Sequence, residues 1–239
     1  MARKLAHSRA ALGATVVAVV LLVGRGMRGA SAADAALPAP ALDASIAGST
    51  GQATAVLSGG CFWGMQLVFE HVKGVTGVVA GYAGGSAETA TYEQVSTGTT
   101  GHAESVRITY DPSQLSYGQL LQVFFSVAHD PTERNRQGPD VGTQYRSVIF
   151  YQNDEQRRIA EAYIAQLDRA KVFAHPIVTE VVPFRGFYPA EAYHQDYAVH
   201  HPDDLYIVIN DRPKVVHLRD ELPALYREQR VAYRPQRAG

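Results

Sequence analysis

Residues 58–64 read Ser58-Gly59-Gly60-Cys61-Phe62-Trp63-Gly64, and this stretch holds the only cysteine and the only tryptophan among 239 residues. Just before it, residues 53–58 (ATAVLS) form a short apolar run that suits a buried strand. Just after it, Met65, Val68, Phe69 and Val72 recur at helical spacing, and Gly74 offers a stop. The spacing predicts a strand–turn–helix junction with Cys61 at or near the helix N-terminus. Glycines permit a tight turn that exposes sulfur and lets another molecule approach the backbone. A helix N-terminus offers free N–H groups and the positive end of the dipole, which lowers a thiol's pKa and favours the nucleophilic thiolate. The competing reading is a tight turn around a small, inert, buried cysteine.

Working outward, residues 75–80 (VTGVVA) predict a second strand, followed by the glycine-rich turn GYAGGS. Residues 104–110 alternate as a strand, with Val106, Ile108 and Tyr110 on one face. Ser116 and Gln119 form a capping box ahead of a helix through Val127. The aperiodic, polar segment HDPTERNRQGPDVGTQ predicts a long functional loop. A strand at 145–151, a helix capped by Asn153 and Gln156 and running to Ala170, and a strand at 177–182 come next. Pro189 predicts the first turn of a further helix carrying His194 and Tyr197. The first six elements run β-α-β-β-α-β. The expected fold is a two-layer α+β domain of ferredoxin-like (split β-α-β) type, with an antiparallel or mixed sheet and an extra C-terminal helix and coil.

The first 33 residues have the pattern of a secretory signal peptide. Arg3, Lys4 and Arg9 precede an apolar run at 11–24, and Ala30-Ser31-Ala32 offers a cleavage site. Arg25 and Arg28 between run and site are irregular, and an uncleaved anchor is the lesser alternative. Export, to a periplasm, is the expectation. Residues 34–52, rich in Ala, Pro, Ser and Gly, are expected to be a flexible linker. The domain proper is expected at 53–222, and 223–239 as a charged, loosely packed tail. Without residues 1–33 the chain has 17 basic against 23 acidic residues, a net charge of −6, and no dense basic stripe. Nucleic acid is therefore not an expected partner. No apolar helical seam is left over, so a monomer is expected. A single cysteine cannot form an internal disulfide, and in an oxidising compartment a lone thiol is a liability unless its chemistry is used.

Two kinds of cysteine chemistry fit these residues. One is hydrolysis by a cysteine–histidine pair: Cys61-Phe62-Trp63 is partly similar to the papain-like nucleophile motif, and His194 lies downstream in a suitable range. The other is redox chemistry, in which the thiolate attacks an electrophilic sulfur and becomes a sulfenic acid. The papain-like motif lacks its second cysteine. In contrast, GCFWG at 60–64, GYAGG at 81–85, TGHAE at 100–104, HDP at 129–131, GTQYRS at 142–147 and HQDY at 194–197 resemble, in order and spacing, the peptide methionine sulfoxide reductases of the A class. The resemblance spans residues 54–213.

That resemblance implies reduction of the S epimer of methionine sulfoxide, free or within oxidised proteins, with no bound cofactor. It implies Cys61 as nucleophile and Glu104 as the acid that protonates the leaving oxygen. Tyr82 and Tyr145 would hydrogen-bond that oxygen, and Phe62 and Trp63 would hold the S-methyl group. Asp140, His194 and Tyr197 match positions that line or support the pocket. The roles are chemically reasonable: a sulfoxide oxygen leaves only when protonated, and a glutamic acid keeps its proton near neutrality only when buried. Many relatives resolve the sulfenic acid with a second, C-terminal cysteine, which this chain lacks. The reductant would then be external, a thioredoxin-like protein, a glutaredoxin or dithiothreitol. His200, His201 and His194 do not form a credible metal set, since adjacent histidines rarely converge on one ion. GYAGGS lacks the following Lys-Ser/Thr of a phosphate loop.

Overall fold

The computed structural model describes residues 37–46 and 51–235; the expected signal peptide lies outside them. The ATAVLS run forms strand β1 (Ala53–Ser58), and helix α1 (Phe62–Glu70) follows after the Gly59-Gly60 turn. Gly60 has φ +88, and a Cβ there would lie 2.5 Å from Gln137 Cγ, so both conformation and space require glycine. Strand β2 (Val75–Ala83) runs through the Tyr of GYAGG, longer than its sequence pattern predicts. After a one-turn helix α2 (Tyr92–Val95) comes β3 (Ala103–Tyr110), inserted between β1 and β2 and antiparallel to both. This is the split β-α-β arrangement.

Helix α3 (Tyr117–Val123) starts with the reciprocal Ser116–Gln119 capping box and widens into a π-turn over Phe124–Ala128. The 129–142 segment carries the two-residue strands β4 (Arg136–Gln137) and β5 (Asp140–Val141) as its regular structure. Strand β6 (Val148–Tyr151) starts later than predicted, because Thr143–Tyr145 winds into a 3₁₀ turn. Asn153 Oδ1 accepts the Gln156 N–H at 2.8 Å and starts α4 (Asp154–Ala170), which ends with Lys171 in the left-handed region. Strand β7 (Glu180–Pro183) pairs parallel to β6, and the full sheet order is β7-β6-β1-β3-β2-β8. Helices α1, α3 and α4 cover one face, where Met65, Val68, Phe69, Leu120, Leu121, Phe124, Ile159 and Tyr163 are buried against the strands. A smaller apolar cluster of Val56, Ala83, Ala103, Val148 and Phe150 lies on the other face.

Three expectations are corrected. Pro189 does not open a helix: it closes the edge strand β8 (Phe187–Pro189), opposite Gly81 of β2. An edge position tolerates the missing N–H. His194 then ends a 3₁₀ turn (Ala192–His194), Asp196 turns left-handed at φ 54, and Tyr197 begins the one-turn helix α5 (Tyr197–His200). Of the expected tail, the described residues 223–235 are hydrogen-bonded to the domain, and the chain before them is more regular than expected. A π-turn (Ile207–Asp211) leads into α6 (Arg212–Glu221), a helix whose weak apolar periodicity gave it no sequence signature. Beyond it, Leu225 O accepts from Lys73 N at 2.7 Å and Arg227 N donates to His71 O at 2.8 Å.

Nor is the Ala/Pro segment free at 37–44. The carbonyls of Leu37, Pro38 and Ala39 accept from Gln122, Tyr163 and Gln166, and Gln166 in turn accepts from Ala41 N–H. Composition signalled low regularity, but long polar side chains on α3 and α4 satisfy this backbone. Asp43 accepts from the Gly118 N–H at 2.7 Å and from the Ser116 hydroxyl, adding an anion to the N-terminus of α3. Asp43→Ala is expected to lower the urea midpoint by the equivalent of about 1 kcal/mol; an unchanged midpoint would show that the segment contributes no anchoring.

Candidate active site

Cys61 is the N-cap residue of α1 and is only 8% exposed. The next residue, Phe62, donates its backbone N–H to Glu104 Oε2 at 3.0 Å. Glu104 is the second residue of β3 and is 3% exposed; across the sheet it pairs with Tyr82 of β2. Because β3 lies between β1 and β2, its start comes up beneath the β1–α1 junction and brings the carboxyl to the thiol. Burial drives the Glu104 carboxyl up from 4.5 to about 8, with Asp140 and Asp211 adding to the rise and the Phe62 N–H opposing it. Near neutrality Glu104 is therefore an acid holding its proton.

The thiol departs from expectation. Burial, then the Glu104 and Asp211 charges, push Cys61 well above the ordinary thiol range, and the Trp63 backbone N–H only partly counters them. The helix N-terminus does act in the expected direction, but desolvation outweighs it. A protonated Glu104 removes the largest of the opposing charges. The resting site accordingly holds two protons, one on sulfur and one on the carboxyl.

The aromatic wall is extensive. Phe62 is buried with its ring 5.1 Å from His194 and 5.8 Å from Tyr82. Trp63 stacks flat on Tyr197 at 3.7 Å between centroids and 9° between planes, and donates its indole N–H to His194 Nδ1 at 3.1 Å. His194 is thus bonded to the wall and not to the thiol, and its buried Nε2 has no hydrogen-bond partner. Burial lowers its pKa, which keeps the ring neutral. This geometry does not form the cysteine–histidine pair that hydrolysis would use.

The tyrosines need one substitution. Tyr82 is fully buried and gives its hydroxyl to Glu191 Oε2 at 2.8 Å, so it is a supporting side chain rather than a free donor. Tyr92, missed by the sequence reading, is fixed by its backbone N–H to Glu191 Oε1 at 2.9 Å. Its hydroxyl pKa is raised by burial and by the charges of Glu104 and Cys61. Tyr145 on its 3₁₀ turn experiences the same two groups and Asp140. Tyr206, also missed, hydrogen-bonds Asp140 and is affected by the Cys61 charge. Thirteen tyrosines without periodicity gave no basis for choosing these.

Beneath the first turn of α1, buried Asp211 pairs with Lys214 at 3.1 Å. A Cβ on Gly64 would lie 2.0 Å from Asp211 Oδ1 and 2.8 Å from Lys214 Nζ, so the last glycine of SGGCFWG makes room for this pair. Among the described residues no group of three His, Cys, Asp or Glu is placed to hold a metal ion.

A family model for peptide methionine sulfoxide reductase matches residues 53–224. Peptide methionine sulfoxide reductase MsrA 2 of Mesorhizobium japonicum is 60% identical over 181 residues, covering 76% of this chain and 93% of that protein. The chain belongs to the peptide methionine sulfoxide reductase family. It is an oxidoreductase acting on methionine sulfoxide. MsrA 2 of Synechocystis sp. is 50% identical over 77% of this chain and 87% of its own. Among solved structures, Mxr1 of Saccharomyces cerevisiae in reduced form has a TM-score of 0.57 at 31% identity, covering 64% of this chain and 87% of that one. Methionine sulfoxide reductase A of Corynebacterium diphtheriae has a TM-score of 0.54 at 36% identity, covering 70% and 85%.

Other motif residues of this reductase are scaffold. His102 of TGHAE accepts from Gly85 N–H at 3.2 Å and donates to Ser86 O at 2.9 Å, fixing the GYAGG turn. Arg146 of GTQYRS binds the carbonyls of Gly101 and His102. His129 of HDP bridges Phe124 O and Ser147 Oγ, and burial lowers its pKa to about 4. Gln195 of HQDY serves both the N–H and the carbonyl of Ala80.

The Glu104 proton has a stability consequence. Its folded pKa lies above its unfolded value, so the native state binds the extra proton and loses stability as pH rises from 4.5 to about 8. Glu104→Gln removes that slope, whereas Glu70, raised to about 9, affects both proteins alike. Urea midpoints measured across this range should show the native enzyme falling relative to the variant; parallel curves would contradict the assignment.

Proposed function

We propose that the reductase acts on the S epimer of methionine sulfoxide, free or in oxidised proteins, with Cys61 as nucleophile and Glu104 as general acid. The observation that carries this reading is the buried, proton-holding Glu104 carboxyl at the helix start that presents Cys61. Phe62 and Trp63 form the apolar wall for the S-methyl group. Tyr145 and Tyr92 donate hydrogen bonds to the sulfoxide oxygen, which polarises the S–O bond without adding charge. Asp140 and Tyr206 close the far side, while His194 and Tyr197 support Trp63.

The Cys61 sulfur attacks the substrate sulfur as Glu104 passes its proton to the oxygen. In the net change that oxygen ends on Cys61 as a sulfenic acid, and the substrate sulfur gains an electron pair. The thiol proton replaces the one Glu104 gave. Two external thiols then restore the Cys61 thiol, releasing water and forming a disulfide between them. The chain's only cysteine makes an internal disulfide impossible, which supports an external, thioredoxin-like reductant. With export as the working localisation, that reductant would itself be an exported protein, because outside the cytosol the glutathione pool is a poor donor.

Mass spectrometry of a methionine sulfoxide peptide incubated with enzyme and dithiothreitol should show loss of one oxygen from one epimer only. Without reductant, one methionine forms per chain and the sulfenic acid can be trapped. Cys61→Ser is expected to be inactive, and Glu104→Gln to slow turnover by about 10²- to 10⁴-fold at neutral pH. No oxygen loss, or a burst of two equivalents, would refute the mechanism.

A further inference from the structure

The family match ends at residue 224, but the chain's contacts with the site do not. Residues 225–233 run along the C-terminal end of α1, and Val231 N–H donates to Glu70 O at 2.9 Å. From this segment Arg230 reaches inward. Its Nη1 lies 3.1 Å from Glu70 Oε2 and 3.1 Å from Asp196 Oδ1. Tyr233 N–H donates to the other Asp196 oxygen at 3.3 Å.

The two carboxylates belong to different walls of the site. Glu70 is the last residue of α1, the helix that starts with Phe62 and Trp63. Asp196 is the left-handed residue that starts α5, and the next residue is Tyr197, the ring stacked on Trp63. Asp196 N–H donates to Gln66 Oε1 at 3.0 Å, and its carbonyl accepts from Val199 and His200, so its position decides how α5 begins. Both carboxyl groups are buried, at 0% and 8% exposure; burial and Asp196 push Glu70 up to about 9, so it holds a proton near neutrality and Arg230 pairs chiefly with the Asp196 charge while also hydrogen-bonding Glu70.

We propose that Arg230 is a positioning residue for substrate: by bridging Glu70 and Asp196 it fastens Tyr197 flat against Trp63 and sets the width of the apolar wall that receives the methyl-bearing end of the sulfoxide. This rests on the wall's role in the proposed mechanism. It gives the segment beyond the family match a task in recognition. One nitrogen, Nη1, makes both contacts, and the planar guanidinium holds it there more rigidly than the flexible stem of a lysine would hold an ammonium.

The test uses the full chain, and Trp63, being the only tryptophan, reports the stack directly. In Arg230→Leu, native-state fluorescence is expected to shift to longer wavelength as Tyr197 loosens. KM for a methionine sulfoxide peptide with dithiothreitol should rise about tenfold while kcat stays within about twofold. Arg230→Lys should fall between the two. Asp196→Asn, which tolerates the left-handed turn, should reproduce Arg230→Leu and serves in its place if that variant does not fold. Folded variants with native emission and native KM, whatever their urea midpoint, would overturn the proposal, as would a fall in kcat at constant KM. Absence of turnover in the unsubstituted enzyme would instead refute the reductase mechanism, and the emission shift would still judge the bridge.

Discussion

The backbone N–H of Phe62 is donated to a carboxyl on a different strand, and the chemistry of this fold depends on that bond. It joins the start of α1 to the start of β3, which is possible only because β3 is inserted between β1 and β2. The same burial that seals the contact keeps Glu104 protonated near neutrality and also disfavours the Cys61 thiolate. The site is thus built with its acid ready and its nucleophile restrained. In the proposed mechanism, transfer of the Glu104 proton to substrate and arrival of the thiol proton pass through this one buried contact.

Much of the surrounding sequence exists to permit this closeness. Gly60 lets the turn reverse where Gln137 approaches, and Gly64 leaves room for the Asp211–Lys214 pair under the first helical turn. His102 and Arg146 fix the turns on either side of β3, and Gln195 substitutes for a strand partner at Ala80. These polar side chains are buried and bonded to backbone. Their loss would leave unsatisfied groups and shift the catalytic residues together.

Local signals in the chain were read well where a side chain acts on its own neighbours. The Ser116–Gln119 box and the Asn153 cap start α3 and α4 as their spacing requires, and the β1–turn–α1 junction forms where the glycines place it, although it buries Cys61 where an exposed sulfur was expected. Long-range pairing was not legible. Pro189 looks like a helix start until β2 supplies an edge for it, and the 34–52 composition says nothing of the glutamines and tyrosine waiting on α3 and α4. The same limit applies to the site. Cys61, Phe62, Trp63 and Glu104 sit in contiguous motifs, whereas Tyr82 and Tyr92 are told apart by a long-range contact: Glu191 takes the hydroxyl of Tyr82 but only the backbone N–H of Tyr92. The helix-dipole argument for a low thiol pKa was correct in sign, but burial reverses the net result.

The coupling between Cys61 and Glu104 can be measured directly by titrating the thiolate through its ultraviolet absorbance in the native enzyme and in Glu104→Gln. In the native protein the thiolate should appear only above the ordinary thiol range, because burial disfavours it and the ionised Glu104 carboxylate, present above about pH 8, opposes it further. In the variant, which keeps an acceptor for the Phe62 N–H but carries no charge, the titration should move to lower pH. Superimposable titrations of the two proteins would contradict the coupling and, with it, the role assigned to the buried carboxyl.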